Sequence, residues 1–263
     1  MDDRKLRGMS AKPNLARSQQ AVSEMLDRLS EVYEPVAPQV LTDPMDEVFR
    51  GIMGRNGPGT ENFPALKKVR KVFPTWLDLL NADKAPTPRQ IEEAGLSSQK
   101  ADKLMRALIA IYGETDESSL ELLRKVPTNV AIRWMRIYTG LGERLALNVL
   151  CYSLGHPTFP VDPAIHRVSE RLGLVPNESG IKGAPERLRA RVSRRDAYRF
   201  HVLIKLHGEA ICQDPKPKCD SCPITDLCPW FKRGGPVPYL ETNRKLKAIA
   251  DALFFIFEAE SEK

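Results

Sequence analysis

The sequence predicts an all-α protein, and three observations carry that expectation. Apolar residues recur at three-and-four spacing along most of the 263 residues. Alternating apolar and polar runs of strand type are scarce, and the 21 prolines fall mostly in the joints between periodic segments. Hydrophobic residues at 42% and charged residues at 28% match ordinary globular usage, which excludes wholesale disorder, collagen and coiled-coil arrays.

The elements follow in order. Residues 18–33 place Val22, Met25, Leu26, Leu29 and Val32 on one helical face. Pro44 to Met53 reads as a helix with Asp43 as its cap and Pro at the first turn. Ser98 to Tyr112 carries Ala101, Leu104, Met105, Leu108, Ile109 and Tyr112 at helical spacing, with Gly113 as the expected stop. Val130 to Ile137, Glu143 to Leu154, Asp162 to Leu172 and residues 198–212 complete the set, with Gly155 and Gly173 closing two of them. Short connections suit helices packed as neighbours.

The ends read differently. Residues 1–17 form a basic arm, expected to be flexible. They lack the apolar stretch of a signal peptide. The run Ala252–Phe257 is too short to span a bilayer. A soluble, cytoplasmic protein with no membrane partner is expected. Residues 233–238 read as a linker. Beyond them Leu246, Ile249, Ala250, Leu253 and Phe257 make an amphipathic stripe, which packs on the chain's own body or on a partner.

Four of the five cysteines sit together as Cys212-x6-Cys219-x2-Cys222-x5-Cys228. In a reducing compartment, four soft thiolates in one loop point to a soft metal or cluster rather than to disulfides. Zinc with four cysteines usually uses two separated C-x-x-C knuckles. The single C-x-x-C here, with two outlying cysteines, suits a 4Fe–4S cubane better, and zinc stays open as the alternative. Cys151 lies within a predicted helix and reads as a buried small apolar side chain.

Thr139-Gly140-Leu141-Gly142 separates two predicted helices. Its glycines permit a tight reversal beside a helix N-terminus, a place for a phosphate. Asp162, before Pro163, is either a helix N-cap or a carboxylate held at the mouth of a cleft.

Hairpin, aspartate and cysteine loop, in that order, resemble the endonuclease III family of helix–hairpin–helix DNA glycosylases. The resemblance runs from about residue 40 to residue 230 and includes Gly95–Ala101, Leu141-Gly142 with Ala146, and His207-Gly208 ahead of Cys212. It implies a 4Fe–4S cluster on Cys212, Cys219, Cys222 and Cys228. It also implies a six-helix domain over 40–155 carrying the hairpin, and a cluster-containing helical domain from 18–39 plus 156–232. Between them would lie a groove for double-stranded DNA with a damaged base or abasic site, bound by a monomer. The implied chemistry is flipping of the base and cleavage of its N-glycosidic bond, with Asp162 as the carboxylate.

Family members that also cut the strand use a lysine two residues past the second hairpin glycine. Here that position holds Arg144. An arginine stays protonated and is a poor nucleophile, so a Schiff base from it is not expected. Leu145 and Pro163-Ala164 also depart from the family pattern. The sequence therefore reads as a monofunctional glycosylase. The alternatives are a non-catalytic damaged-DNA binder and residual lyase activity through another amine, such as Lys100, Lys205 or the N-terminus. The last ranks lowest, since nothing in the sequence places those amines near Asp162.

DNA contacts are expected from Gly140, Leu141 and Gly142, from Lys100, and from Arg167, Arg191 and Arg194. Asn56 stands at the family's glutamine position, and Leu96 reads as an intercalating wedge or an ordinary core leucine. The net charge of +6 is modest. Within residues 182–199, however, seven basic residues face two acidic ones. Residues 67–71 add Lys67, Lys68, Arg70 and Lys71, so phosphate neutralisation is expected where the charge concentrates.

Overall fold

A computed structural model describes residues 18–33, 43–54, 64–81, 97–117 and 119–235. Among these residues the regular elements are all helical. They are α1 (Gln19–Tyr33), α2 (Pro44–Ile52), α3 (Pro64–Val72), α4 (Trp76–Leu80), α5 (Ser98–Thr115), α6 (Thr128–Tyr138), α7 (Glu143–Tyr152), α8 (Pro163–Arg171), α9 (Gly180–Arg191), α10 (Ala197–Ala210) and α11 (Pro229–Lys232), with short 3₁₀ turns between some of them. No helix among the described residues is long and apolar enough to cross a membrane. The basic arm, the C-terminal stripe, Asn56 and Leu96 lie outside the described residues.

Caps set the helix starts. Asp43 accepts from the backbone N–H groups of Met45 and Asp46, with Pro44 opening α2 where a missing N–H costs nothing. Thr75 and Asp78 exchange side-chain and backbone bonds as a capping box for α4. The expected stop at Gly113 is corrected. Helix α5 runs through it to Thr115 and ends at Asp116, which takes the left-handed conformation itself (φ 56°).

The helical stripes shift at their edges. In α1, Ala21, Val22, Met25, Leu26 and Leu29 are buried, but Val32 turns outward and Tyr33 packs inward instead. In α5 the buried face is Ala101, Leu104, Ala107, Leu108 and Ile111, while Ile109 and Tyr112 are exposed. Sequence spacing assigned those last two to the core because a wide apolar stripe has more than one seam consistent with a 3.6-residue period.

Among the described residues two hydrophobic cores form. The first joins Met45, Val48 and Phe49 of α2 with α3 to α7, among them Leu104, Leu108, Met135, Val149 and Leu150. The second joins α1 with α8, α9 and α10 and the cysteine turns, around Met25, Leu26, Phe200 and Leu203. Helix α7 is buried from Leu145 to Tyr152, as befits a central helix. Its last residue reaches the second group, where Tyr152 meets Tyr198 and His201 of α10 edge-on. Cys151 is fully buried, and burial pushes its thiol up to about 12.

Helix α10 packs on α8 through Gly208. A Cβ there would stand 3.2 Å from both Ala164 Cβ and Val168 Cγ2, so only glycine permits this approach without neighbours giving way.

Candidate active site and cysteine pocket

Asp162 is the N-cap of α8. Its Oδ1 accepts from Ile165 N at 2.8 Å, the cap bond expected from an Asp before Pro. Its Oδ2 accepts from Lys205 Nζ of α10 at 2.9 Å. Both side chains stay partly open, at 17% for Asp162 and 25% for Lys205. Burial alone would raise the Asp162 carboxyl. The Ile165 N–H and the Lys205 ammonium outweigh it and hold the group below the usual carboxylate value. The reciprocal holds for Lys205: burial pulls it down, and Asp162 with Glu209 at 3.3 Å keeps it raised.

The surroundings are neutral and aromatic. His201 is buried with Nδ1 2.9 Å from Pro160 O. A carbonyl can only accept, so Nδ1 carries the hydrogen. Burial holds His201 down at about 4, which leaves it neutral near pH 7. Tyr152 is buried, and burial first and neighbouring acids second raise its hydroxyl well above the ordinary value. Among the described residues its buried Oη meets no hydrogen-bond partner.

The sequence is consistent with both jobs of Asp162, and the capping bond occupies only one oxygen. It did not place Lys205, although the signal was present: a lone charge inside the apolar run His201-Val-Leu-Ile-Lys205-Leu. Nothing in the sequence places Lys205 near Asp162; the packing of α10 on α8 does. Arg144 is exposed at the start of α7, and Asp162's ion-pair partner is Lys205. Lys100 reaches Met53 O at 3.4 Å, at the end of α2.

In the hairpin, Gly140 has φ +62° and open space where a Cβ would stand. Thr139 Oγ1 donates to Met135 O and accepts from Leu141 N, and the Leu141 side chain is buried in the first core. The first helical bonds of α7 begin with Leu145 N to Gly142 O. The N–H groups of Glu143 and Arg144 therefore precede the helical ladder, at its positive end. This arrangement can take a phosphate oxygen on backbone groups, with Leu141 as the anchor of the turn.

The basic residues divide by their partners. Arg167 donates to Cys212 O at 3.0 Å and Gly208 O at 2.9 Å, so its guanidinium ties α8 to the cysteine loop rather than standing free for phosphate. Arg70 is taken by Asp46 and the Trp76 ring, and Arg199 by Asp27 and Ser30. Lys67, Lys68, Lys71, Arg194 and Arg195 are exposed, and Arg191 is half-buried.

Cys212, Cys219, Cys222 and Cys228 line one pocket, walled by apolar side chains such as Val168, Leu172 and Ile224. None of the four is in a disulfide. Burial, then the neighbouring cysteines, push Cys222 up to about 11, against one hydrogen bond from the backbone. Among the described residues, no three His, Cys, Asp or Glu side chains converge on a single-ion site. One zinc would need its sulfurs gathered about 2.3 Å from a common centre. A cubane would take each sulfur at a separate corner, and the four cysteines that line this one apolar pocket are the donor set it would use. Four contacts support the pocket. Arg171 Nη1 donates to Cys212 Sγ at 3.3 Å while its guanidinium lies over Trp230. Tyr33 Oη lies 2.9 Å from His207 Nδ1, and His207 Nε2 lies 3.7 Å from Cys222 Sγ.

No family model matches the chain. Among curated proteins it is similar to endonuclease III of Thermotoga maritima, 26% identical over 197 residues, which cover 74% of this chain and 86% of that one. It is also similar to the DNA glycosylase/AP lyase ROS1 of Arabidopsis thaliana, 25% identical over 188 residues, 63% of this chain. There it spans only 13% of the relative's length. Among solved structures, a trapped endonuclease III–DNA covalent intermediate superposes with a TM-score of 0.63 at 20% identity, over 82% of this chain and 98% of that one. The shared architecture is the all-α helix–hairpin–helix fold.

Proposed function

We propose that this endonuclease III-like chain is a base-excision DNA repair protein, a monofunctional N-glycosylase that removes a damaged base from double-stranded DNA. The observation that carries the reading is Asp162: an ionised, partly open carboxylate fixed by Ile165 N and Lys205 Nζ at the start of α8. In the proposed reaction a nucleotide is flipped out of the stack. The C1′–N bond breaks, and the base leaves with the electron pair. Asp162 stabilises the positive charge that builds on the sugar. Water then adds its oxygen to C1′, and its proton leaves to the carboxylate or the departing base. Arg144 supplies no Schiff base, and Lys205 is held as an ammonium in its ion pair with Asp162, so in this reading the strand stays uncut.

The hairpin N–H groups, with Gly140 and Gly142 giving access, would hold a phosphate. Exposed Lys67, Lys68 and Arg194 would neutralise others. Cys212, Cys219, Cys222 and Cys228 would hold a 4Fe–4S cluster, which when bound supplies a covalent tie across the loop after α10. Arg171 and His207 would steady its sulfurs.

The test is a panel of duplexes carrying oxidised, deaminated and alkylated bases. Base release by the wild type and its loss in Asp162→Asn are expected. Tight binding with no release from any duplex favours the non-catalytic reading. That second reading has its own support: both Asp162 oxygens already accept a hydrogen bond.

A further inference from the structure

Helix α10 carries Lys205 and Gly208 three residues apart, so they share one face. Gly208 is the point of closest approach to α8, against Ala164 and Val168. Arg167 of α8 donates to Gly208 O at 2.9 Å and fixes that approach. One turn before the contact, the Lys205 side chain meets the N-terminus of α8, where Asp162 stands. We propose that Lys205 is a positioning residue for the reaction: seated by the Gly208–Ala164 contact, its ammonium holds the Asp162 carboxylate ionised and fixed in direction.

The proposal rests on the glycosylase reading and adds a group that reading did not require. The charges around Asp162 single out this lysine. From α10 come Lys205, with Glu209 behind it, and His201, which is neutral near pH 7. From α7 comes Tyr152, whose raised hydroxyl is neutral. Along α8 the next charged or titratable groups are His166, Arg167 and Glu170; His166 and Glu170 lie 3.8 Å from each other, and Arg167 is turned to Cys212 O and Gly208 O. Among the described groups that the electrostatics couple to Asp162, Lys205 carries the one full positive charge. A carboxylate that caps a helix through one oxygen can still rotate and take up a proton at the other. The 2.9 Å ammonium contact removes both freedoms.

The experiment compares wild type, Lys205→Met and Lys205→Arg. Its readouts are the pH profile of single-turnover base release and the titration of the ¹³C-labelled Asp162 carboxyl, assigned by difference with Asp162→Asn. Lys205→Met is expected to move the acid limb to higher pH. At the foot of the wild-type limb about a tenth of the wild-type rate should remain, because an opposite charge within about 4–6 Å governs the carboxylate. The alkaline plateau falls less, and Lys205→Arg restores the limb. A folded Lys205→Met protein whose limb and carboxyl titration both stay in place overturns the proposal. So does a borohydride-trapped adduct with abasic DNA that maps to Lys205, since the amine is then the nucleophile. If the wild type releases no base at all, the glycosylase reading fails, and the carboxyl titration still decides the role of Lys205.

Discussion

Gly208 is where the fold and the site depend on the same atom's absence. Adding a methyl group there places a Cβ 3.2 Å from Ala164 Cβ, 3.2 Å from Val168 Cγ2 and 3.3 Å from Ala164 O. Each contact is a few tenths of an ångström too tight, so α8 and α10 must part slightly. Against that, Gly→Ala within a helix gains about 1 kcal/mol of propensity. Overpacking a close-packed contact costs roughly 1–3 kcal/mol. Gly208→Ala should therefore lie between neutral and about 2 kcal/mol destabilised. Gly208→Val adds two methyl groups at the same point and a β-branched penalty in the helix, so a loss of about 3 kcal/mol or more is expected. For a chain of this size that corresponds to a melting shift of roughly 6–12 °C. The assay is denaturant or thermal unfolding followed by circular dichroism, with base release measured on the folded fraction. The distinctive result is in the site: Gly208→Ala should move the acid limb of activity upward through loosening of Lys205, even where stability barely changes. Gly208→Val as stable as wild type, with an unmoved acid limb, would refute both the packing argument and its link to Asp162.

Further outcomes are expected for the helix cap, the pH profile of stability, the lyase step and the cluster. Asp162→Asn should keep the helix cap, because asparagine caps as well as aspartate, while losing the ion pair to Lys205 at a cost of about 1 kcal/mol and losing base release. Asp162→Ala should cost about 1 kcal/mol more in an unfolding titration. Stability should fall as pH drops from 6.5 towards 4, because His201 is held at about 4 in the folded chain and the unfolded chain binds the proton first. That contribution reaches up to about 3 kcal/mol, and His201→Gln should flatten the profile over this window. Asp162 acts lower on the scale: its depressed value contributes stability above the unfolded carboxyl value, and this is lost as pH falls through the folded one. Borohydride should trap no adduct with the wild type on an abasic site, and Arg144→Lys should gain trapping if its side chain reaches the sugar; an adduct on Arg144 itself would sink the argument. Purified protein should be brown and contain iron, Cys222→Ser should lose most of both, and a colourless zinc protein would refute the cubane.

The sequence by itself determined the helical class, the hairpin, the capping aspartate and the cysteine spacing. Each of these is local: a 3.6-residue period, a glycine pair, an Asp-Pro step, four thiols within one loop. Local rules also located Cys151 in the interior and Asp43 at the head of α2. The rules weakened at stripe edges, where Val32, Ile109 and Tyr112 turned outward, because burial there depends on which neighbour covers the face. Only the tertiary structure decided what the charges do. Arg167, Arg70 and Arg199 are spent on carbonyls, rings and acids within the fold. Lys205 stands 43 residues from Asp162 in the chain and 2.9 Å from it in space. A charge acquires its role from what packs against it, and that depends on helices distant in sequence meeting at a glycine.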